Sequence, residues 1–207
     1  MKDLKSILKE CSIKEIYCDN HGAPITYVIP IYQRNYAWER DEICALIKDV
    51  HDSMDMGKTV YYIGTLVTYK RDENKYEVID GQQRLTTIYL ILRALGVQNI
   101  YNSLTYSARK ASASTIEALS GRGEKENLDE MPDLGIKNGF ESAKAGLDEI
   151  VGLAQTDVDK FKEYFLNHVH IIHYRVPKDV DLNHYFEVMN SRGEQLEKHE
   201  IVKAKLS

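Results

Sequence analysis

The segment from Val78 to Leu95 sets the strongest limit on the fold of this chain, because a strand passes into a helix across a single glycine. A run rich in β-branched residues ends at Asp80, and Gly81 permits a tight turn. Leucine and isoleucine then recur at helical spacing from Leu85 onward. The sequence therefore predicts a strand, a one-residue turn and a helix with one apolar face.

The composition of the 207 residues is that of a globular protein, with 43% hydrophobic and 29% charged residues. This much apolar material supports a core and excludes intrinsic disorder over the whole length. The formal net charge of -5 excludes a non-specific polybasic nucleic-acid binder, so any nucleic-acid surface must be a local patch. Because the sequence ends inside an amphipathic pattern, we expect residues 1–207 to be one domain at the N-terminus of a longer protein.

Targeting signals and paired cysteines are missing from the sequence. The first residues are charged and no apolar signal region follows them. The longest apolar stretch, residues 88–97, contains Arg93 and is too short to span a bilayer. Cys11, Cys18 and Cys44 form no C-x-x-C pair, which argues against a disulfide scaffold or a cysteine zinc site. We expect a cytoplasmic protein with no membrane partner.

Hydrophobic spacing and turn residues predict the other elements. Helices are predicted over residues 2–17, 38–54, 85–95, 104–119, 140–151, 157–166, 181–190 and 197–206, and strands over 25–31, 60–69, 75–79 and 168–176. Residues 71–74 predict a hairpin turn. Residues 120–139 combine glycines and a proline with many charges, so we predict a mobile loop there.

The turn from Asp80 to Arg84 is the first candidate site. The first amides of a helix have no partner within the helix and lie at its positive end, which favours an anion. Arg84 adds a planar fork suited to phosphate, Gln82 and Gln83 add donors, and Asp80 could hold Mg²⁺. A solvated Asp-Gly turn is the alternative, and the two interpretations stand about even.

A second candidate lies in residues 29–38, where two tyrosines, an arginine, two amides and the single tryptophan occur together. Tyr32 and Tyr36 could stack on a base, and Gln33 and Arg34 could bond its edges. The alternative is that Trp38 and one tyrosine belong to the core. We predict that the Tyr32–Arg34 segment faces the same cavity as the Asp80–Arg84 turn.

Two further patterns are weaker. Gly193 is typical of a helix C-terminus, and Asn190 and Arg192 beside it could face a site. His168, His170 and His173 invite a metal site, but on a strand only the first two share a face and no carboxylate or cysteine completes a ligand set. We interpret them as strand residues.

Three motifs occur in chain order over Ile29–Trp38, Val78–Thr87 and Phe186–Leu196. Together they resemble the N-terminal domain of GmrSD-type modification-dependent restriction proteins, known for an Asp-Gly-Gln-Gln-Arg box. The resemblance covers about residues 10–207 and is most specific in Val78–Thr87. It implies an α/β (α+β) fold with a ParB/sulfiredoxin-like core, a small mixed sheet and added helices. It also implies a nucleotide-binding, NTP-hydrolysing sensor of modified DNA in phage defence, with a separate C-terminal HNH-type nuclease domain or subunit as partner.

Carried over residue by residue, the resemblance implies site roles that geometry has yet to test. It assigns catalytic roles to Asp80, Gln83 and Arg84, with Gln83 as our choice to orient the attacking water and Asp80 as the ligand of Mg²⁺. It assigns nucleotide binding to Gly81, Gln82, Gln83, Arg84, Thr86, Arg34, Asn190 and Arg192, and DNA sensing to Tyr32, Gln33 and Tyr36. The cofactors implied are an NTP, such as GTP or ATP, and Mg²⁺.

Two functions of different classes remain open. The first is an NTPase that positions and neutralises the γ-phosphate. The second is a ParB-like module that binds nucleotide or DNA as a switch and does no chemistry. A ParB-like nuclease is disfavoured, because the charge is acidic and no metal-ligand cluster is evident, so we expect no DNA cleavage by this chain alone.

Overall fold

A computed structural model describes residues 7–19, 21–100, 102–120, 131–178 and 180 of the chain. The described residues form six strands and six helices. In chain order they are β1 (Leu8–Ser12), α1 (Ile13–Tyr17), β2 (Thr26–Ile29), α2 (Arg40–Asp55), β3 (Tyr61–Asp72), β4 (Lys75–Asp80), α3 (Gln82–Ala94), β5 (Leu104–Tyr106), α4 (Lys110–Leu119), α5 (Leu134–Ile150), α6 (Gln155–Asn167) and β6 (Val169–Val176). The α+β fold class is therefore confirmed, whereas the ParB/sulfiredoxin-like type of core stays a prediction.

The strands form one mixed sheet in the order β1-β6-β3-β4-β2-β5. The hairpin partners β3 and β4 are antiparallel, while β4, β2 and β5 run parallel to one another. Parallel strands have their carboxyl ends on the same side of the sheet, which we call one edge here. The segments that follow β2, β4 and β5 therefore meet at one edge, although they are far apart in the sequence.

Helix α3 is the central helix of the fold. Every residue from Leu85 to Leu92 is buried, on all sides of the helix. The sequence predicts one apolar face, but the helix lies between the sheet and other helices, with α5 packed against it. A helix enclosed in this way has a fixed N-terminus, which gives the Asp80–Arg84 turn a rigid support.

The predicted helix over residues 2–17 is wrong over Leu8–Ser12, and residues 2–6 lie outside the described residues. Residues from Leu8 form β1, which pairs with β6. The helix α1 starts only after Ser12, whose side chain accepts a hydrogen bond from the amide of Glu15 while the Glu15 carboxylate accepts one from the Ser12 amide. This capping box defines a helix start inside the pattern that we predicted as one helix.

Two other boundaries differ from the prediction. Residues 104–119 form β5 and then α4, because Leu104–Tyr106 pairs with β2 at the edge of the sheet. The predicted loop over residues 120–139 is too long, since α5 begins at Leu134 with the Asp133 side chain capping the amide of Ile136. Residues 121–130 and the predicted helices over 181–190 and 197–206 lie outside the described residues.

In the described parts of the chain, no helix combines the length and the apolar character needed to cross a membrane. Trp38 is partly buried and packs against the main core, as one of the sequence alternatives expects. The helix that follows it begins at Arg40.

Candidate functional site

Three segments meet where the parallel strands end. They follow β2, β4 and β5, and they comprise residues 30–39, 81–84 and 107–109. In open α/β sheets, ligands bind outside the carboxyl ends of the strands. The topology therefore brings the first two sequence candidates together at the edge where a ligand site is expected.

Gly81 joins β4 to α3 in a conformation that another residue would strain. Its φ of 89° lies in the left-handed region, and a Cβ atom there would lie 2.8 Å from the carbonyl oxygen of Thr65. Gly81 has no side chain with which to cap the helix, and the first backbone bond within α3 is from the Leu85 amide to the Gly81 oxygen. The amides of residues 82–84 therefore have no partner within the helix.

Arg84 lies half-buried beside this turn. Its Nη1 donates to the carbonyl oxygen of Thr65 at 2.7 Å, so the guanidinium rests on the backbone of β3. Burial lowers the pKa of Arg84, and the negative charge of Asp80 opposes that shift. Asp80 itself is exposed at the end of β4. The turn thus places a positively charged fork next to the free amides of α3.

A bulge in β3 makes the place for Arg84. Tyr62 pairs with His170 and Thr65 pairs with Ile172, so β3 carries one residue more than β6 over this stretch. Gly64 lies in the bulge with a φ of 118°, and its missing side chain leaves the room that the guanidinium occupies. The sequence analysis did not single out Gly64, although a glycine within a β-branched run is a known sign of a bulge.

The two glutamines of the box are buried, with Gln82 3% and Gln83 8% exposed. Gln83 accepts a hydrogen bond from the Ala37 amide at 2.8 Å and donates to the Asn35 oxygen at 2.8 Å and to the Gln82 Oε1 at 3.1 Å. Both ends of the Gln83 amide are engaged in holding residues 35–37. In this geometry Gln83 positions a loop and has no free end with which to orient a water, contrary to our choice from sequence.

Thr86 is also enclosed. It is fully buried, and its hydroxyl lies 2.9 Å from the hydroxyl of Tyr106 on β5. Burial raises the pKa of Tyr106, so this phenol stays protonated and able to bond Thr86. The predicted contact of Thr86 with a nucleotide does not agree with this placement, because the side chain is directed into the core.

The segment after β2 lies against the end of β4. Gln33 donates from Nε2 to the carbonyl oxygen of Ile79 at 2.6 Å. Ile79 is itself a bulge residue, since Val67 pairs with Asp80 and Thr68 pairs with Val78. Gln33 thus attaches the Tyr32–Arg34 segment to the strand that leads into the Asp80–Arg84 turn, and the predicted common cavity stays a prediction.

Its neighbours Tyr32 and Arg34 are exposed. Tyr32 is 50% exposed and donates a hydrogen bond to Glu77 at 2.8 Å, while Arg34 is exposed at the same turn. Both side chains are therefore accessible at the edge of the candidate site. Their predicted roles in nucleotide binding and DNA sensing stay predictions.

Tyr36 is buried at 4% exposed, unlike Tyr32. Its hydroxyl lies 2.8 Å from that of Thr87, and a Cβ atom at Gly139 would lie 2.6 Å from its ring. The ring therefore packs on the bare backbone of α5. This placement contradicts a stacking role for Tyr36 and agrees with the alternative that one tyrosine belongs to the core.

Arg109 is the residue of this region that the sequence analysis missed. Its guanidinium donates to the carbonyl oxygens of Ile31, Gln33 and Arg34. A single arginine before a helix matches no sequence motif. The pairing of β5 with β2 is what brings Arg109 next to the segment that follows β2.

The other sequence candidates lie elsewhere. Asn190 and Arg192 are outside the described residues. His173 is buried on β6, where its Nε2 lies 2.8 Å from the Thr68 hydroxyl, and His170 is bonded to Glu10 at 2.8 Å. His170 and His173 lie on β6 as predicted, whereas His168 precedes the strand as the C-cap of α6. Among the described residues, no group of three or more His, Cys, Asp or Glu is arranged to hold a metal ion.

A comparison with protein-family models identifies the family of this chain. The family model described as "GmrSD restriction endonuclease, N-terminal domain" matches residues 13–207, which is nearly the whole chain. No curated protein matches the sequence.

Proposed function

Because this chain belongs to the family of N-terminal domains of GmrSD restriction endonucleases, it is a domain of a restriction system, and we propose that it is the nucleotide-dependent sensor of that system. The ligand is a nucleoside triphosphate bound at the N-terminus of α3. The sensed state is modified DNA, and cleavage belongs to a separate nuclease domain or subunit. One observation carries the proposal: the half-buried guanidinium of Arg84 lies beside a helix N-terminus that has no cap.

The electrostatics of this turn favour an anion. The free amides of residues 82–84 point out from the positive end of the α3 dipole. Within the described part of the chain, Arg84 donates one hydrogen bond, to the Thr65 oxygen, and a guanidinium has five N–H groups. Its remaining donors are suited to phosphate oxygens. Because the site is partly shielded from water, these attractions are stronger than on an open surface.

The residues fit Mg²⁺ as well as phosphate. Mg²⁺ is usually held by one or two carboxylates together with substrate phosphates, and Asp80 is an exposed carboxylate next to the turn. When bound there, Mg²⁺ would neutralise charge on the phosphates. Arg84 and the amides of α3 would then orient the triphosphate and stabilise negative charge on its terminal group.

The exposed turn of residues 31–35 is the part of the site that would meet DNA. Tyr32 offers an aromatic face and Arg34 a cation at the surface, while Gln33 links the turn to β4 through the Ile79 oxygen. Stacking on an aromatic face is worth roughly 1–3 kcal/mol per base. A base or its modification that contacts this turn would be connected to the Asp80–Arg84 turn through Gln33 and β4.

A second candidate function is a switch that binds nucleotide without hydrolysing it. The observation that favours it is the engagement of both ends of the Gln83 amide, which removes the residue expected to orient the attacking water.

Calorimetry tests the binding proposal directly. We expect the full chain to bind ATP or GTP with Mg²⁺, and Arg84→Ala to bind about ten- to a hundred-fold more weakly, as expected for one charge-assisted contact. Lys160→Ala is the control for loss of one positive charge, because Lys160 is an exposed cation on α6 that pairs with Asp157. Unchanged affinity in Arg84→Ala, or no binding by the parent, would exclude this site.

Phosphate release by the same preparations separates the two functions. Release with Mg²⁺ that depends on Arg84 supports hydrolysis, whereas binding without release supports the switch. Incubation with modified and unmodified plasmid completes the set, and we expect no cleavage by the chain alone.

A further inference from the structure

Arg109 belongs to no motif, yet it makes more contacts with the segment after β2 than any predicted site residue does. It is half-buried and immediately precedes α4. Its guanidinium donates to the Ile31 oxygen at 3.0 Å, to the Arg34 oxygen at 3.1 Å and to the Gln33 oxygen. One side chain therefore binds three carbonyl oxygens of a single turn.

The backbone before Arg109 is held in an unusual conformation. Ala108 has a φ of 60°, in the left-handed region, which strains a residue other than glycine. Ser107 before it is fixed to β2, since its amide donates to the Ile29 oxygen at 2.9 Å. The chain therefore leaves the edge of the sheet with a bend at Ala108, and Arg109 contacts the turn that follows β2.

The chemistry of the contact requires an arginine. A planar guanidinium presents five donors in a fixed fork, so it can serve several carbonyl oxygens at once. Three carbonyl dipoles that converge next to an anion site would repel a phosphate. The positive charge of Arg109 offsets that repulsion while it fixes the turn.

Other hydrogen bonds attach the same segment to different elements. Gln33 is bonded to the Ile79 oxygen, and Gln83 is bonded to the backbone of Asn35 and Ala37. These contacts connect the segment to β4 and α3, whereas Arg109 connects it to β5 and α4. Removing Arg109 therefore frees one side of the turn and leaves the other attached.

We propose that Arg109 is a positioning residue that fixes residues 31–34 at the rim of the candidate site without touching the ligand. The claim about ligand affinity rests on the proposed function, whereas the claim about the turn does not. Arg109 acts through the main chain of Ile31, Gln33 and Arg34.

Hydrogen exchange of the full chain without ligand tests the positioning. The Gln33 amide is bonded to the Pro30 oxygen and the Ala37 amide to Gln83, so the two amides report on the two sides of the segment. In Arg109→Ala we expect the Gln33 amide to exchange about tenfold faster, with little change at Ala37 and in β4. Lys160→Ala, which removes an exposed cation on α6, should change neither amide.

Arg109→Lys is the second variant, and it answers the same question if Arg109→Ala does not fold. Lysine keeps the charge and the alkyl chain but lacks the fork, so the Gln33 amide should exchange at an intermediate rate. Exchange at Gln33 that equals that of the parent in both variants overturns the proposal. Equal acceleration at Gln33, Ala37 and β4 also overturns it, because it indicates general destabilisation.

Calorimetry with ATP and with GTP, each with Mg²⁺, then measures the consequence for binding. We expect about a tenfold weaker affinity for Arg109→Ala, from disorder of the turn and loss of one charge near the site. Faster exchange at Gln33 with an affinity equal to that of a binding parent overturns the role of the turn. If the parent binds neither nucleotide, the proposed function fails, and the exchange data alone decide the positioning.

Discussion

The guanidinium of Arg84 lies directly over the backbone of Gly64: a Cβ atom at position 64 would be 3.0 Å from Cζ and 3.2 Å from both terminal nitrogens. The two residues are far apart in the sequence and meet because β3 bulges at Gly64 where it passes the start of α3. The same bulge presents the Thr65 oxygen to Nη1 of Arg84. A glycine in a strand thus determines where the candidate anion-binding arginine lies.

Replacing Gly64 by alanine should destabilise the protein for two separable reasons. The φ of 118° strains any L-residue, at a cost of about 1–3 kcal/mol, and the added methyl group meets Arg84. We expect Gly64→Ala to lower the free energy of unfolding less in an Arg84→Ala background than in the parent. Urea unfolding should give a coupling energy of about 0.5–2 kcal/mol between the two substitutions.

The control for that cycle is Gly57→Ala. Gly57 has a φ of 67° and no atom within 4 Å of a Cβ, so it measures backbone strain alone. If Gly64→Ala and Arg84→Ala are additive, the guanidinium does not need the space at Gly64.

Gln83→Ala should destabilise the protein through the backbone of another segment. The change removes the partner of the Ala37 amide and of the Asn35 oxygen, and each lost hydrogen bond costs about 0.5–1.5 kcal/mol. Urea unfolding should show this loss, whereas Gln155→Ala, which removes an exposed glutamine bonded to Asp159, should show almost none. Equal stability of Gln83→Ala and the parent would contradict the loop-holding role.

Thr86→Val should leave nucleotide affinity unchanged. Valine matches threonine in shape but removes the hydroxyl that meets Tyr106, so we expect a loss of about 1 kcal/mol in stability. Calorimetry with ATP and GTP should give the same Kd as the parent. A tenfold weaker Kd in a folded variant would restore the ligand contact that sequence predicts for Thr86.

His173 should make stability depend on pH. Burial, with a contribution from the charge of Arg175, lowers the pKa of His173 from about 6.5 to about 3. The unfolded chain therefore binds a proton between these values and the folded one does not. The contribution to stability is complete above pH 6.5 and is lost as pH falls toward 3.

Urea unfolding between pH 7.5 and 4.5 measures this effect by difference. Below pH 6.5, the free energy of unfolding of the parent should fall faster than that of His173→Gln, by up to about 1.4 kcal/mol per pH unit. The glutamine keeps a polar group near Thr68 but does not titrate. Parallel pH profiles of the two proteins would show that folding does not lower the pKa of His173.

Local patterns were sufficient for several parts of the fold. The hairpin of β3 and β4, the one-residue turn at Gly81 and the start of a helix beyond it were predicted because residues near in sequence determine them. The bond from Gln33 to the Ile79 oxygen brings the Tyr32–Arg34 segment to the end of β4, while the predicted cavity shared with the Asp80–Arg84 turn stays a prediction. The first helix was overextended because the pairing of β1 with β6 outweighs helical spacing.

By itself, the sequence determined the box, its strand–glycine–helix geometry and the family, since all three depend on residues that are contiguous. Tertiary structure alone decided which of those residues are accessible: it buried Gln82, Gln83 and Thr86, and left Asp80 and the fork of Arg84 at the edge. It also brought Arg109 to the turn after β2. The physical reason is that burial and hydrogen-bond partners depend on the order of the strands and on the bulges in them. Neither strand order nor bulges can be predicted from a short stretch of sequence.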